Sequence, residues 1–139
     1  MSTGSAHALS EDPQPDDVLV ELSTTIIGLY QDLFGLGAAR ARSHWAGPDA
    51  LVCILDDTLD PVERNLVKMG QHERLRDHRQ FFQYAMIDDF CRPVERITGR
   101  TLQAFHSSTD TEVDGQSVEM FVFHPVGYDG PSRIERTAP

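Results

Sequence analysis

Apolar residues along this chain change their spacing twice in the same order, from a helical period to short extended runs, with a glycine at each change. Between Asp17 and Phe34, Val18, Leu22, Ile26, Leu29 and Leu33, joined by Leu19, Ile27 and Tyr30, recur at the spacing that gathers them on one helical face. Asp16 or Asp17 can accept from the free amides at the start, and Gly35 and Gly37 end the segment. Ala39 to Trp45 and Ala50 to Leu55 follow as extended runs around Ala46-Gly47-Pro48-Asp49, a turn cluster that predicts an antiparallel hairpin. Arg40, Arg42 and His44 share one face of its first strand. Its second strand is apolar on both faces and is expected to be internal.

Asp60-Pro61-Val62-Glu63 combines an N-cap acceptor, a proline at the first helical position and a glutamate at N3, predicting a short helix to about Met69. From Glu73 to Thr98, Leu75, Phe82, Met86, Phe90 and Ile97 predict a long second helix that Pro93 is placed to kink or split. Gly99 is suited to the left-handed position at its end. Thr101 to Ser107 and Ser117 to His124 read as a second hairpin around the polar loop Ser108 to Gln116, with His106 opposite about Val118. The expected architecture is α+β, a repeated α-β-β arrangement with a four-stranded antiparallel sheet, two main helices and a short one. It occupies residues 17–126 as one domain, between a disordered acidic tail at 1–16 and a flexible tail at 127–139. Val118, Met120 and Val122 give the last strand one apolar face, and Phe121 and Phe123 give it another. A sheet with one covered face leaves that surplus to the short helix or to a second subunit, so a homodimer is expected.

A chain of 139 residues with 40% apolar content can bury one sizeable core. Its net charge of −10 opposes binding to phosphate backbones, which excludes nucleic acid as the expected partner. Two cysteines, Cys53 in an apolar run and Cys91 in a helical pattern, fit a reducing compartment better than a disulfide framework. No window reaches the roughly 18–20 apolar residues of a spanning helix. The expected location is cytoplasmic, with any membrane reached through a partner rather than by insertion.

Arg79 is the most unusual residue by position, because it falls on the apolar stripe of the long helix and a guanidinium cannot shed its proton to escape burial. Two readings follow. It is an anion clamp that, with Arg40 or Arg42, receives a small carboxylate or carbonate-like ligand, or it is structural, either one half of an internal pair with Glu63, Asp56, Asp57 or Asp88 or a side chain snorkelling to the stripe's edge. His78, beside Phe82, is expected as a hydrogen-bonded core histidine. Gly35-Leu36-Gly37 lies in the wrong order to cradle a phosphate, Ser107 and Ser108 read as loop hydroxyls, and Asp56 and Asp57 as turn residues. Histidine and cysteine spacings hold no zinc pattern. No catalytic residue, cofactor or metal is assigned, and the pattern favours a non-enzymatic protein.

Four stretches taken together carry a resemblance. They are Leu29-Tyr30-Gln31-Asp32-Leu33-Phe34-Gly35-Leu36-Gly37-Ala38-Ala39-Arg40-Ala41-Arg42, Leu59-Asp60-Pro61-Val62-Glu63-Arg64-Asn65-Leu66, Ile97-Thr98-Gly99-Arg100-Thr101-Leu102-Gln103-Ala104-Phe105 and Glu119-Met120-Phe121-Val122-Phe123. In order and spacing they resemble a small bacterial family labelled component C of a Na+-translocating, membrane-potential-generating system, over roughly residues 19 to 125. Asp60 stands where that family often has threonine, which keeps a capping oxygen. The resemblance implies an accessory or regulatory subunit of a membrane system tied to ion movement and inorganic-carbon supply, with a membrane transporter as partner. It carries over no catalytic residue. Arg40, Arg42, Glu63, Arg79 and Arg100 match its pattern and are the candidate ligand-binding set, with a bicarbonate-like anion or an uncharacterised enzymatic role as the alternatives.

Overall fold

The computed structural model describes residues 15–35, 40–112 and 115–132. Elements follow in the order α1 (Pro15–Phe34), β1 (Arg40–Trp45), β2 (Ala50–Asp56), α2 (Pro61–Lys68), α3 (His72–Ala85), α4 (Ile87–Thr98), β3 (Leu102–Thr109) and β4 (Ser117–Phe123). The class is α+β and the sheet is four-stranded and antiparallel, in the order β1-β2-β4-β3. Each hairpin therefore contributes one inner and one edge strand. Most of both expected tails, at 1–14 and 133–139, and Gly37 lie outside the described residues.

Local chemistry accounts for the element ends. α1 buries Leu22, Ile26 and Tyr30 completely and stops where the Gly35 amide donates to Gln31 O at 3.0 Å. At α2, Asp60 Oδ1 accepts from the Glu63 amide at 2.7 Å while Glu63 Oε1 accepts from the Asp60 amide at 2.9 Å, so the expected capping box is formed on both sides. α4 ends at Gly99, whose φ of 68° is left-handed.

The run expected as one helix from Glu73 to Thr98 is two. α3 and α4 part at Met86, where φ −105° and ψ 29° leave the helical region, and helix continues through Pro93 instead of ending there. Asp88 and Asp89 fill the first turn of α4, where exposed amides favour negative charge. The break gives each segment its own inward stripe, Leu75, Arg79 and Gln83 on α3 and Phe90, Cys91 and Val94 on α4.

All three longer helices reach the same side of the sheet. Ser23 and Ser43 share a hydrogen bond of 2.7 Å between α1 and β1, and the Tyr84 and Phe90 rings lie 5.6 and 5.7 Å from Phe105. That inner face carries Leu51, Cys53, Leu55, Leu102, Phe121 and Phe123. The outer face carries Val52, Ile54, Val118, Met120 and Val122, all partly exposed. α2 does not cover it, because α2 joins α3 through Glu63 and Arg79. β3 runs on to Thr109 with an irregularity between Leu102 and Ala104, so His106 faces Met120 rather than Val118. Ser107 and Ser108 are accordingly strand residues and not loop hydroxyls.

Gly115 anchors the segment before α2, accepting at its carbonyl from the Thr58 amide at 3.2 Å and the Thr58 hydroxyl at 2.6 Å. A Cβ there would lie 2.3 Å from Leu59 Cγ at a φ of +74°, whereas one on Gly99 meets open space. Gly115→Ala is expected to cost about 2–5 kcal/mol in urea denaturation and Gly99→Ala about 1 kcal/mol. Equal losses would contradict the close approach of Leu59.

Candidate functional site

The interior of the helix layer holds a charged pair. Arg79 and Glu63 are each 1% exposed. The guanidinium donates from Nε to Glu63 Oε2 at 2.5 Å and from Nη2 to Glu63 Oε1 at 2.8 Å, a bidentate arrangement. Nη1 donates to Thr58 Oγ1 at 3.2 Å, and Nη2 also donates to the Thr58 carbonyl. Four of the five N–H donors of Arg79 are thus engaged, leaving an incoming anion at most one rather than a parallel pair. The guanidinium carbon lies 4.1 Å from the Phe34 ring centroid, which adds an electrostatic attraction. From Thr58 the polar line continues through Ser117 Oγ at 3.0 Å to Thr109 Oγ1, a further 2.9 Å on.

A second polar group sits between α1, α3 and β4. The Tyr30 hydroxyl donates to Glu119 Oε2, and Gln83 Nε2 donates to the Tyr30 oxygen at 2.9 Å and to Glu119 Oε2 at 3.2 Å. Burial pushes the Glu119 carboxyl up to about 8, against the opposing pull of the Tyr30 hydrogen bond and the Arg79 charge. At neutral pH it is therefore a protonated acid. Burial likewise raises Tyr30 well above its ordinary value, with Glu119 adding to the effect. A hydrogen bond from Ser107, which faces Glu119 across the β3–β4 pair, also pulls the Glu119 carboxyl down, and Gln83 Oε1 has no hydrogen-bond partner among the described residues.

The remaining candidates are dispersed. Arg40 and Arg42 converge on the same oxygen, Asp56 Oδ2, at 3.1 and 2.9 Å across the β1–β2 pair. Hydrogen bonds from Gln116 and Arg42 hold the Asp56 carboxyl below its usual range. Arg100 donates to Asp49 Oδ1 at 2.6 Å and to the carbonyls of Pro48 and His124 at 2.7 and 2.8 Å, tying α4 to the hairpin turn. So Arg79 and Glu63 stand together, Arg40 and Arg42 stand together elsewhere, and Arg100 is separate from both. His78 is not a core residue, since its side chain is 46% exposed with the ring edge-on to Phe82. Cys53 is buried, which raises its thiol to about 11 and keeps it protonated. Among the described residues no three His, Cys, Asp or Glu side chains gather as metal ligands.

Sequence reasoning missed Glu119, Gln83 and Thr58. The available signal was parity in β4, where Glu119 shares a face with Phe121 and Phe123 and must therefore enter the core with them. Chemically the two groups have different capacities. The Arg79 pair fixes α2 against α3, and the Glu119 group stores a proton behind three elements.

Arg79→Ala is expected to cost about 3–5 kcal/mol in chemical denaturation, because Glu63 is left as a buried charge without its partner. The folded chain keeps the Glu119 proton up to about pH 8, while the unfolded chain releases it near 4.5, so this group lowers stability as pH rises between those values. Glu119→Gln is expected to gain on the wild type across that window, by no more than about 1.4 kcal/mol per pH unit, and to hold a constant gain above it. A stability difference between the two proteins that stays flat from pH 5 to 8 in urea titrations would contradict the buried acid.

No helix among the described residues is long and apolar enough to cross a membrane. No curated protein and no solved structure matches the chain. Residues 16–124, which contain every element from α1 to β4 except the first residue of α1, match a family described as Na+-translocating membrane potential-generating system (MpsC). On that match the chain belongs to the MpsC family.

Proposed function

We propose that this chain is a non-enzymatic accessory or regulatory subunit of the membrane system for which its family is named, working from the cytoplasmic side as a homodimer. The observation that carries this reading is the outer face of the sheet, where Val52, Ile54, Val118, Met120 and Val122 form a partly exposed apolar stripe across β2 and β4. A surface of that kind is built for association. Among the described strand residues Asp56 is the one carboxylate on that face, and it is held by Arg40 and Arg42. Two copies of a chain with net charge −10 can therefore meet there without opposing unpaired acids. The charged groups of the core also favour assembly over catalysis, because Arg79 and Glu63 face each other in the interior.

Light scattering of the purified chain is expected to give a dimer mass, and the pair Val52→Glu and Met120→Glu a folded monomer. The tagged chain, produced with the membrane subunits of its system and solubilised in mild detergent, is expected to co-elute with them. A monomeric wild type that separates cleanly from those subunits would overturn the reading.

A further inference from the structure

The edge strand β1 and the flank of α1 beside it form a groove of about 630 Å³. Leu19, Val20 and Ile27 give it an apolar wall, and Ala41, Arg42 and His44 belong to its floor. β1 ends the sheet, so its backbone groups on the side away from β2 have no strand partner among the described residues. Val20 stands 65% exposed above that free edge. A strand laid along β1 at the usual spacing of about 4.8 Å would run under this wall.

We propose that this edge takes up an extended segment of a partner protein in which acidic residues alternate with apolar ones. Charge decides the chemistry. Arg40, Arg42 and His44 project to the outer face of β1, and the two guanidiniums share the single carboxylate of Asp56, which leaves one positive charge uncompensated. Arg40 is 72% exposed and Arg42 38%, so both can reach a neighbouring strand. Acidic side chains on the outer face of that strand meet this surplus. Its other side chains turn to the inner face, beneath Val20 and Ile27, where apolar groups are wanted. Among the described residues no acidic side chain lines the groove.

A second copy of the chain does not fit this edge. Antiparallel self-pairing centred on β1 with the faces aligned sets Arg42 against the other copy's Arg42 or Arg40, and like charges directly opposite are unfavourable. The edge is thereby reserved for a different chain, while the outer sheet face remains available to the second copy.

This inference rests on the accessory-subunit reading and names its docking edge, and the two fail separately. The probe is a labelled nonapeptide of alternating valine and glutamate, titrated into the full-length 15N-labelled chain, with the valine–lysine peptide as control. The acidic peptide is expected to shift and protect the amides of Arg40 to Trp45, and the lysine peptide to bind at least tenfold more weakly. Val20→Glu is expected to weaken the acidic peptide at least tenfold while leaving the melting temperature unchanged, since that side chain is already exposed. Absence of binding, equal binding of the two peptides, or amide shifts confined to β3 or the outer face would overturn the proposal. Membrane subunits that co-elute equally with wild type, Val20→Glu and Arg42→Glu would also overturn it, leaving the subunit reading intact. Co-elution lost even with wild type would remove that reading, and the peptide result would still decide the edge.

Discussion

A guanidinium in the middle of a helix layer sets the terms for everything packed around it. A guanidinium is costly to bury alone, so the burial of Arg79 requires a partner held in place by something else. Glu63 is held by the start of α2, where its Oε1 also accepts from the Asp60 amide. The same carboxylate therefore closes the start of α2 and pairs with the Arg79 guanidinium of α3, the next helix. Because the pairing is bidentate, it admits one orientation of α2 on α3. The Thr58 carbonyl and hydroxyl take two further donors and fix the link after β2, which turns through Asp57 at a φ of 55°.

The parts of this arrangement that were legible in the sequence are local. Asp60, Pro61 and Glu63 announce α2 because a capping box is written within four residues, and Gly47-Pro48 announces the first hairpin for the same reason. The inward position of Arg79 was legible from spacing alone, since a helical stripe fixes which side a residue faces. Its partner was not, because Glu63, Asp56, Asp57 and Asp88 are equally plausible until α2 is placed on α3. The division at Met86 escaped notice because Pro93 drew the break toward itself, although Asp88 and Asp89 mark a helix start. Glu119 escaped because its polar partners, Tyr30 and Gln83, come from α1 and α3, neither of them near it in sequence.

The sheet divides the chemistry of the molecule into two unlike sides. Inside, polar side chains are spent on one another, and Tyr30, Gln83 and Glu119 knit three elements around a single carboxyl oxygen. Outside, the strands present a stripe of valine, isoleucine and methionine bordered by arginine and histidine. The family is named for a membrane system, and no helix among the described residues is long and apolar enough to cross a membrane.

The strand order has a kinetic implication. Each hairpin pairs residues close in the chain and can form early, but the sheet is completed only when β2 meets β4, with Leu51 beside Phe121 and Cys53 beside Glu119. Closing so long a loop is entropically slow, and α2, α3 and α4 all lie within it. Until that seam closes, two hairpins with exposed inner edges coexist, and this is the stage at which the nascent protein is most open to mispairing.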